Sequence, residues 1–351
     1  MGTAAIQPMP ETEPLGTERP KRSIVIDVVR GIAIFLVAIG HTNQGELRRG
    51  WWGHSAFGGN LNNYIYSFHM PAFFFISGIF LCPSVDKRGN KLFLVEKLRT
   101  LIYPYAVWMT INALTPFLLK RYTVSSVPAF HTFLLSLITG STEWFLITLF
   151  FAMTIAILLR RMPLPLLFVL ACGVSQFMPP IGVSFFDLGL KELPFLVLGM
   201  WVGTRFQRIE AVPRFAALGA AIALGLVIAW LTMGRFPLSP WLFIPLGVLG
   251  TLMLLLLARF LHHGAGARAL AWVGEGSLGV FLLSSYFQGG TRAGLLHWGA
   301  QSTWVQLLVP SVVATIFPAW IYNNRERWHI EWLFVAPFGR PGRQKRAAKA
   351  A

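Results

Sequence analysis

The sequence predicts an all-α, polytopic integral membrane helical bundle of about ten transmembrane helices with both termini in the cytoplasm. Composition, hydropathy, block length and cation placement predict it. Of the 351 residues, 55% are hydrophobic and only 13% charged, whereas a soluble domain carries about a quarter charged residues. The mean hydropathy is +0.59. The apolar residues fall into blocks of about 18 to 22 with short polar punctuation, the length a helix needs to cross a hydrocarbon core of roughly 30 Å. Finally, Lys and Arg alternate between rich and poor connections. Soluble enzymes, disordered chains, collagen-like repeats and disulfide scaffolds are excluded at this step.

Taken in order, residues 1–22 are polar, contain Pro8, Pro10, Pro14 and Pro20 and lack an apolar core. They read as a disordered cytoplasmic tail and not as a signal peptide. Residues 23–322 form the membrane-embedded domain, with spans expected at 24–42, 64–82, 100–118, 143–159, 163–180, 192–206, 214–233, 240–261, 270–289 and 303–322. The piece 128–140 is apolar but too short to cross, so it reads as re-entrant or interfacial. Residues 323–351 form a basic cytoplasmic tail. Cys82 and Cys172 lie in or beside apolar blocks and read as small buried hydrophobes. No internal repeat is visible, which gives no support to a transporter built from two matching halves.

Orientation follows from the cations. With the N-terminus inside, 23 of the 30 Lys and Arg residues fall on the inner side and 7 on the outer side, as the positive-inside rule requires. The net charge of +16 is thereby explained by topology, and no nucleic-acid partner is needed. The setting is the cell membrane, multi-pass, with the lipid bilayer itself as a partner.

The first span carries the chemistry. It reads Ile24-Val-Ile-Asp27-Val-Val-Arg30-Gly-Ile-Ala-Ile-Phe-Leu-Val-Ala-Ile-Gly-His41-Thr42. Arg30 and His41 are 11 residues apart, which is three turns plus about 20° and places them on one face about 16 Å apart along the axis. Asp27, three residues before Arg30, shares that face and can pair with it. Ionisable groups inside a membrane are costly and mark function by default. The plainer reading has Arg30 snorkelling beside Asp27 and His41 ending the helix; the shared stripe favours function.

These words resemble the integral-membrane acyltransferase 3 family, in which an arginine, ten residues and a histidine form the signature. Asp27-Val-Val-Arg-Gly-Ile-Ala and Ser67-Phe-His-Met-Pro-Ala-Phe-Phe-Phe-Ile-Ser-Gly78 look like that family's first two spans. Lys97-Leu-Arg99-Thr-Leu-Ile-Tyr-Pro104-Tyr, Glu143-Trp-Phe-Leu146 and Leu193-Pro-Phe-Leu-Val-Leu-Gly199 extend the likeness to nearly the whole membrane domain. Phe68-His69-Met70-Pro71 and Trp144-Phe145-Leu146 point to the branch that includes fucose 4-O-acetylase-like proteins.

The resemblance implies transfer of an acyl group, usually acetyl from acetyl-CoA, to a hydroxyl of a sugar or related glycan. Acyl-CoA is then a donor substrate, and no permanently bound cofactor is implied. His41 is expected as general base, since imidazole titrates in the right range; an acetyl-imidazole intermediate is the covalent variant. Arg30 would hold either the CoA phosphates or the thioester arm, and Lys97 and Arg99 suit the phosphates. The family often carries two arginines three apart there, whereas Glu96 intervenes here. Relatives also end the run like Ser277–Tyr286 with a histidine; this chain has Ser284-Ser285, so no role for that histidine carries over.

Glu143, at the outer start of the fourth span, would orient His41 or bind a sugar hydroxyl; otherwise it is a solvated residue at a helix N-terminus. Trp144 would stack on a sugar ring or anchor the interface. His69, before Met70-Pro71, would be a second polar group of the site beside a proline kink, or a histidine bonded within its helix. Asp27 completes the substrate-binding set. Glu275 and Ser277 line the site or lie in a loop. Asp187, Lys191 and Glu192 read as a local ion-pair group. No metal is expected, because His54 and His131 lack ligand spacing.

A charged CoA head cannot cross the bilayer, yet His41 lies toward its outer half. The expectation is therefore a pore in which the pantetheine arm rises from Arg30 to His41, with the acceptor bordered by the outer connection 43–63. Some relatives add a soluble transferase domain; here the membrane domain acts alone or hands off to a partner. The rival readings are an O-acyltransferase acting on a glycosylated secondary metabolite such as a macrolide, a transporter or flippase of a lipid-linked glycan, and a non-enzymatic scaffold.

Overall fold

A computed structural model describes residues 23–118, 143–203, 205, 207–234 and 239–337. The expected N-terminal tail, the piece 128–140 and the last residues of the basic tail lie outside them. Every regular element among the described residues is helical.

The apolar run after Ser23 forms α1, Ile24–Arg48, with Asp27 in its first turn, where the helix dipole favours a carboxylate. It runs six residues beyond the expected end at Thr42, so the outer connection starts inside a helix. The rest of that connection is largely α2, Phe57–Tyr66. The chain then breaks at Phe68 (φ −144°, ψ −16°) and resumes as α3, His69–Arg88. Pro71 stands third in α3, where its missing N–H costs no helical bond. The expected proline kink is thus corrected to a break at Phe68, ahead of the proline.

Next come α4, Asn90–Lys97, a π turn at Leu98–Ile102 and α5, Tyr103–Leu118. The following helices are α6 (Trp144–Leu159), α7 (Leu164–Phe177), α8 (Ser184–Gly203), the short α9 (Gln207–Glu210), α10 (Arg214–Thr232) and α11 (Phe243–Leu261). Expected span 270–289 is two helices. α12, Gly264–Glu275, and α13, Ser277–His297, meet at Gly276 with a bend of 80°. A Cβ on Gly276 would lie 2.7 Å from Ala319 Cα, so the joint is packed directly on α14, Thr303–Asn323.

Each of the ten expected segments overlaps an observed helix. By length and composition, five described stretches suffice to cross a bilayer, or six if α12 and α13 count as one broken span. α6 and α7 are apolar but shorter.

The core is built around α1, which packs on α2, α3, α11, α12, α13 and α14. Two reciprocal glycine pairs bring backbones into contact. A Cβ on Gly31 would lie 2.0 Å from Leu270 O and one on Gly274 2.0 Å from Asp27 O, joining α1 to α12; Gly78 and Gly199 do the same for α3 and α8. Without a solvent-driven hydrophobic force between helices, such close packing is the main attraction within a bilayer. At the other end of α1, buried Glu46 pairs with Arg292 of α13, whose Nη2 also donates to Thr42 O (3.2 Å).

Residues 324–337, expected as part of the tail, fold back on the bundle. Phe334 and Ala336 are fully buried. Trp108 Nε1 donates to Leu333 O (2.9 Å).

Candidate active site

The stripe expected on α1 is present. Arg30, Ile34 and Val37 recur at helical spacing and all line one cavity of about 600 Å³. His41 is the next residue on that stripe, one turn beyond Val37, and it is exposed. α3 supplies the facing wall with Met70, Phe73 and Ser77, again one helical face.

Asp27 is buried and makes the expected pair, Arg30 Nη1 to Asp27 Oδ1, at 3.4 Å. It sits behind Arg30 and lines none of the described cavities, so its place is that of a support for the guanidinium. Arg30 also lies over the Phe80 ring, 5.6 Å from its centroid. Lys97, at the end of α4, lines the same cavity. Burial, together with the charges of Arg30 and Arg88, lowers its pKa to about 8. The intervening Glu96 is paired with Arg88.

Arg99 is placed differently from the expectation. It is buried, its Nη2 donates to Ala336 O (3.0 Å) and its own carbonyl accepts from Ala336 N (3.2 Å). It clamps the folded-back segment and is not among the residues of the cavity wall. The third cation there is Arg325, just past α14, held by its Nη1 bond to Tyr322 O (2.7 Å). Sequence reasoning counted Arg325 only as tail charge; its position at the end of the last apolar run was the available signal. Glu275 and Ser277, which flank the bend at Gly276, line the cavity as well. Val37, Met70 and Phe145 are among the apolar residues of the same wall.

At His41, Nδ1 faces Tyr66 Oη at 3.5 Å, and the two rings meet edge to face. Tyr66 in turn lies edge-on to His69, centroids 4.7 Å apart. His69 itself is buried and its Nδ1 donates to Ile65 O (2.7 Å). That bond runs from the first residue of α3 back across the break at Phe68 to α2, and not within its own helix. Tyr66 was not singled out from the sequence.

Glu143 precedes α6 and is buried at 5% exposure, which replaces the solvated alternative. Its Oε1 accepts from Asn112 Nδ2 (3.0 Å). Asn112 Oδ1 accepts from Tyr286 Oη, and Tyr286 Oη reaches Thr115 Oγ1 (3.2 Å). This network ties α5, α6 and α13 together. The group at His41 Nδ1 is thus Tyr66 and not Glu143. Trp144 lines a second cavity of about 430 Å³, which shares Met70 with the first and includes Tyr66.

The site therefore offers a cation-lined chamber whose wall on α1 ends at Val37, and an exposed imidazole one turn beyond it that lines none of the described cavities. Residues 24–323 match the family described as Acyltransferase domain. The chain is 28% identical over 192 residues to the nodulation protein NolL of Mesorhizobium japonicum, covering 53% of this chain and 48% of that protein. The chain thus aligns with about half the length of that relative. No solved structure matches.

Proposed function

This chain belongs to the membrane acyltransferase family whose domain residues 24–323 match, and on that premise we propose that it moves an acyl group from cytoplasmic acyl-CoA to a hydroxyl of a sugar or cell-surface glycan. Acetyl is the default acyl group. The observation that carries this reading is the stripe Arg30–Ile34–Val37–His41, of which the first three line a chamber also holding Lys97 and Arg325.

Ten spans in the cell membrane with cytoplasmic termini are part of the same proposal. Under that topology Arg30, Lys97, Glu275 and Arg325 all lie toward the cytoplasmic side, where CoA is found. The three cations hold the CoA phosphates; point charges and a guanidinium fork suit them. The uncharged pantetheine arm extends past Val37 and Met70 toward His41. The acyl group thus reaches part of the way across the bilayer on that arm, while the charged nucleotide end of CoA stays on the cytoplasmic side.

The chemistry balances at His41. Nε2 takes the proton of the acceptor hydroxyl as its oxygen attacks the thioester carbonyl carbon. The carbon–sulfur bond breaks, and the imidazolium returns the proton to the departing CoA thiolate. The same imidazole therefore acts as base and acid. Tyr66, as acceptor of a proton held on Nδ1, fixes the tautomer that leaves Nε2 basic.

The test is transfer of label from radiolabelled acetyl-CoA to candidate glycans by the purified chain. Label on a sugar supports the enzyme. Label on a glycosylated secondary metabolite alone gives the same chemistry with the other acceptor. Movement of a glycan across vesicles with no label on it supports the transporter.

A further inference from the structure

Resting on the acyltransferase reading above, we propose that the second cavity is the acceptor subsite. It binds a polyhydroxylated ring whose hydroxyls donate to Glu192 and whose apolar face lies on Trp144.

The observations concern the cavity of about 430 Å³. Glu192 lines it, is only 4% exposed, and its Oε2 has no hydrogen-bond partner. A buried polar oxygen left unsatisfied is costly, more so when charged, and such groups call for an explanation. The expected ion-pair group does not supply one. Asp187 accepts from Ile181 N and Gly182 N at 3.0 Å each. Lys191 Nζ lies over the Phe243 ring, 4.3 Å from its centroid. Glu192 thus brings a carboxyl group with one unpaired oxygen to a cavity whose wall combines Asn63, Ser67 and Gln176 with the rings of Trp144 and Phe243. Polar groups converging beside aromatic walls are the usual form of a small-molecule site, and a wall this rich in amide and hydroxyl groups suits a polyhydroxylated ligand.

The position fits the reaction. Met70 borders both cavities, and Tyr66, at His41 Nδ1, borders this one. The two cavities therefore adjoin at Met70, and this one extends to the tyrosine that faces His41. The elements contributing to the second cavity, the starts of α6, α8 and α11 and the end of α7, are those that the charge pattern puts on the outer side. A sugar suits this wall better than an acyl chain does, because its O–H groups supply the donors that Oε2 lacks while its C–H face lies on indole.

The experiment uses the full chain in detergent, with methyl β-glucoside, methyl α-mannoside and methyl α-fucoside as probes in saturation-transfer NMR, and CoA in a parallel calorimetric titration. Wild-type protein is expected to saturate at least one glycoside. Glu192→Gln and Trp144→Ala should weaken that binding by about tenfold or more with CoA binding unchanged. Arg30→Ala should do the reverse. Glu192→Asp guards against a folding defect, since it keeps the carboxyl group and should lose less. Glycoside binding that survives both substitutions, or no glycoside bound by wild-type protein, overturns the assignment. Choline bound in place of glycosides, and lost in Glu192→Gln, overturns it in favour of a cation site. Failure to bind CoA would instead sink the acyltransferase reading beneath it.

Discussion

Tyr66 Oη stands 3.5 Å from His41 Nδ1, and it reaches that place because α1 carries Gly40 there. A Cβ at Gly40 would lie 2.9 Å from Tyr66 Cε2. Tyr66→Phe keeps the ring and removes the partner of Nδ1. The imidazole then loses its tautomer preference, and turnover should fall by about tenfold with CoA affinity unchanged. Steady-state kinetics against direct CoA titration checks this; equal loss of both would assign Tyr66 to the donor site instead.

Lys97 gives the donor site a pH dependence. Burial first, then Arg30 and Arg88, bring its pKa down to about 8. The ammonium is present below that value and lost above it, while a phosphate monoester is already doubly ionised above about pH 6. Affinity for a non-hydrolysable acetyl-CoA thioether should therefore decline from pH 7 to pH 9. Lys97→Arg stays charged over that range and should flatten the profile. An unchanged slope in the arginine variant would remove Lys97 from the donor site.

Arg325 and Arg99 should separate cleanly. Arg325 lines the donor chamber, so Arg325→Ala should raise the KM for acetyl-CoA several-fold at near-normal thermal stability. Arg99 holds Ala336 from both directions, so Arg99→Ala should lower the unfolding temperature and release residues 331–337 to proteolysis. Thermal denaturation and donor KM measured on both variants decide it. The opposite pattern would return Arg99 to the phosphates.

Much of this arrangement was legible in the sequence. Apolar block length gave the helices of the described residues, and the 11-residue spacing gave the shared face of Arg30 and His41 with Asp27 behind it. Other features rest on contacts that no local pattern encodes. The 80° bend at Gly276 depends on Ala319, more than forty residues later. Arg99 and Arg325 exchange their expected places because the segment after α14 returns to α5, a tertiary contact. Tyr66 and Glu192 look like ordinary polar residues at helix ends; only the fold brings one to His41 and the other into a cavity.

The contact between α1 and α12 is a backbone-to-backbone one, so it tolerates no side chain. Gly31→Ala or Gly274→Ala places a methyl within 2.0 Å of a carbonyl oxygen. Overpacking of this kind typically costs about 1–3 kcal/mol. The helices must separate, moving Asp27 and Arg30 from Glu275. Thermal stability and CoA affinity should fall together in both variants, whereas Gly173→Ala, where a Cβ meets nothing within 4 Å, should change neither.

The central claim is that the acyl group is delivered at His41 after its carrier has docked at Arg30, Lys97 and Arg325. It is tested most directly by single-turnover transfer from radiolabelled acetyl-CoA in wild-type and His41→Ala protein, each with its CoA affinity measured. His41→Ala should bind CoA as wild type does and form acylated acceptor at least ~100-fold more slowly. Transfer by His41→Ala at the wild-type rate would contradict it.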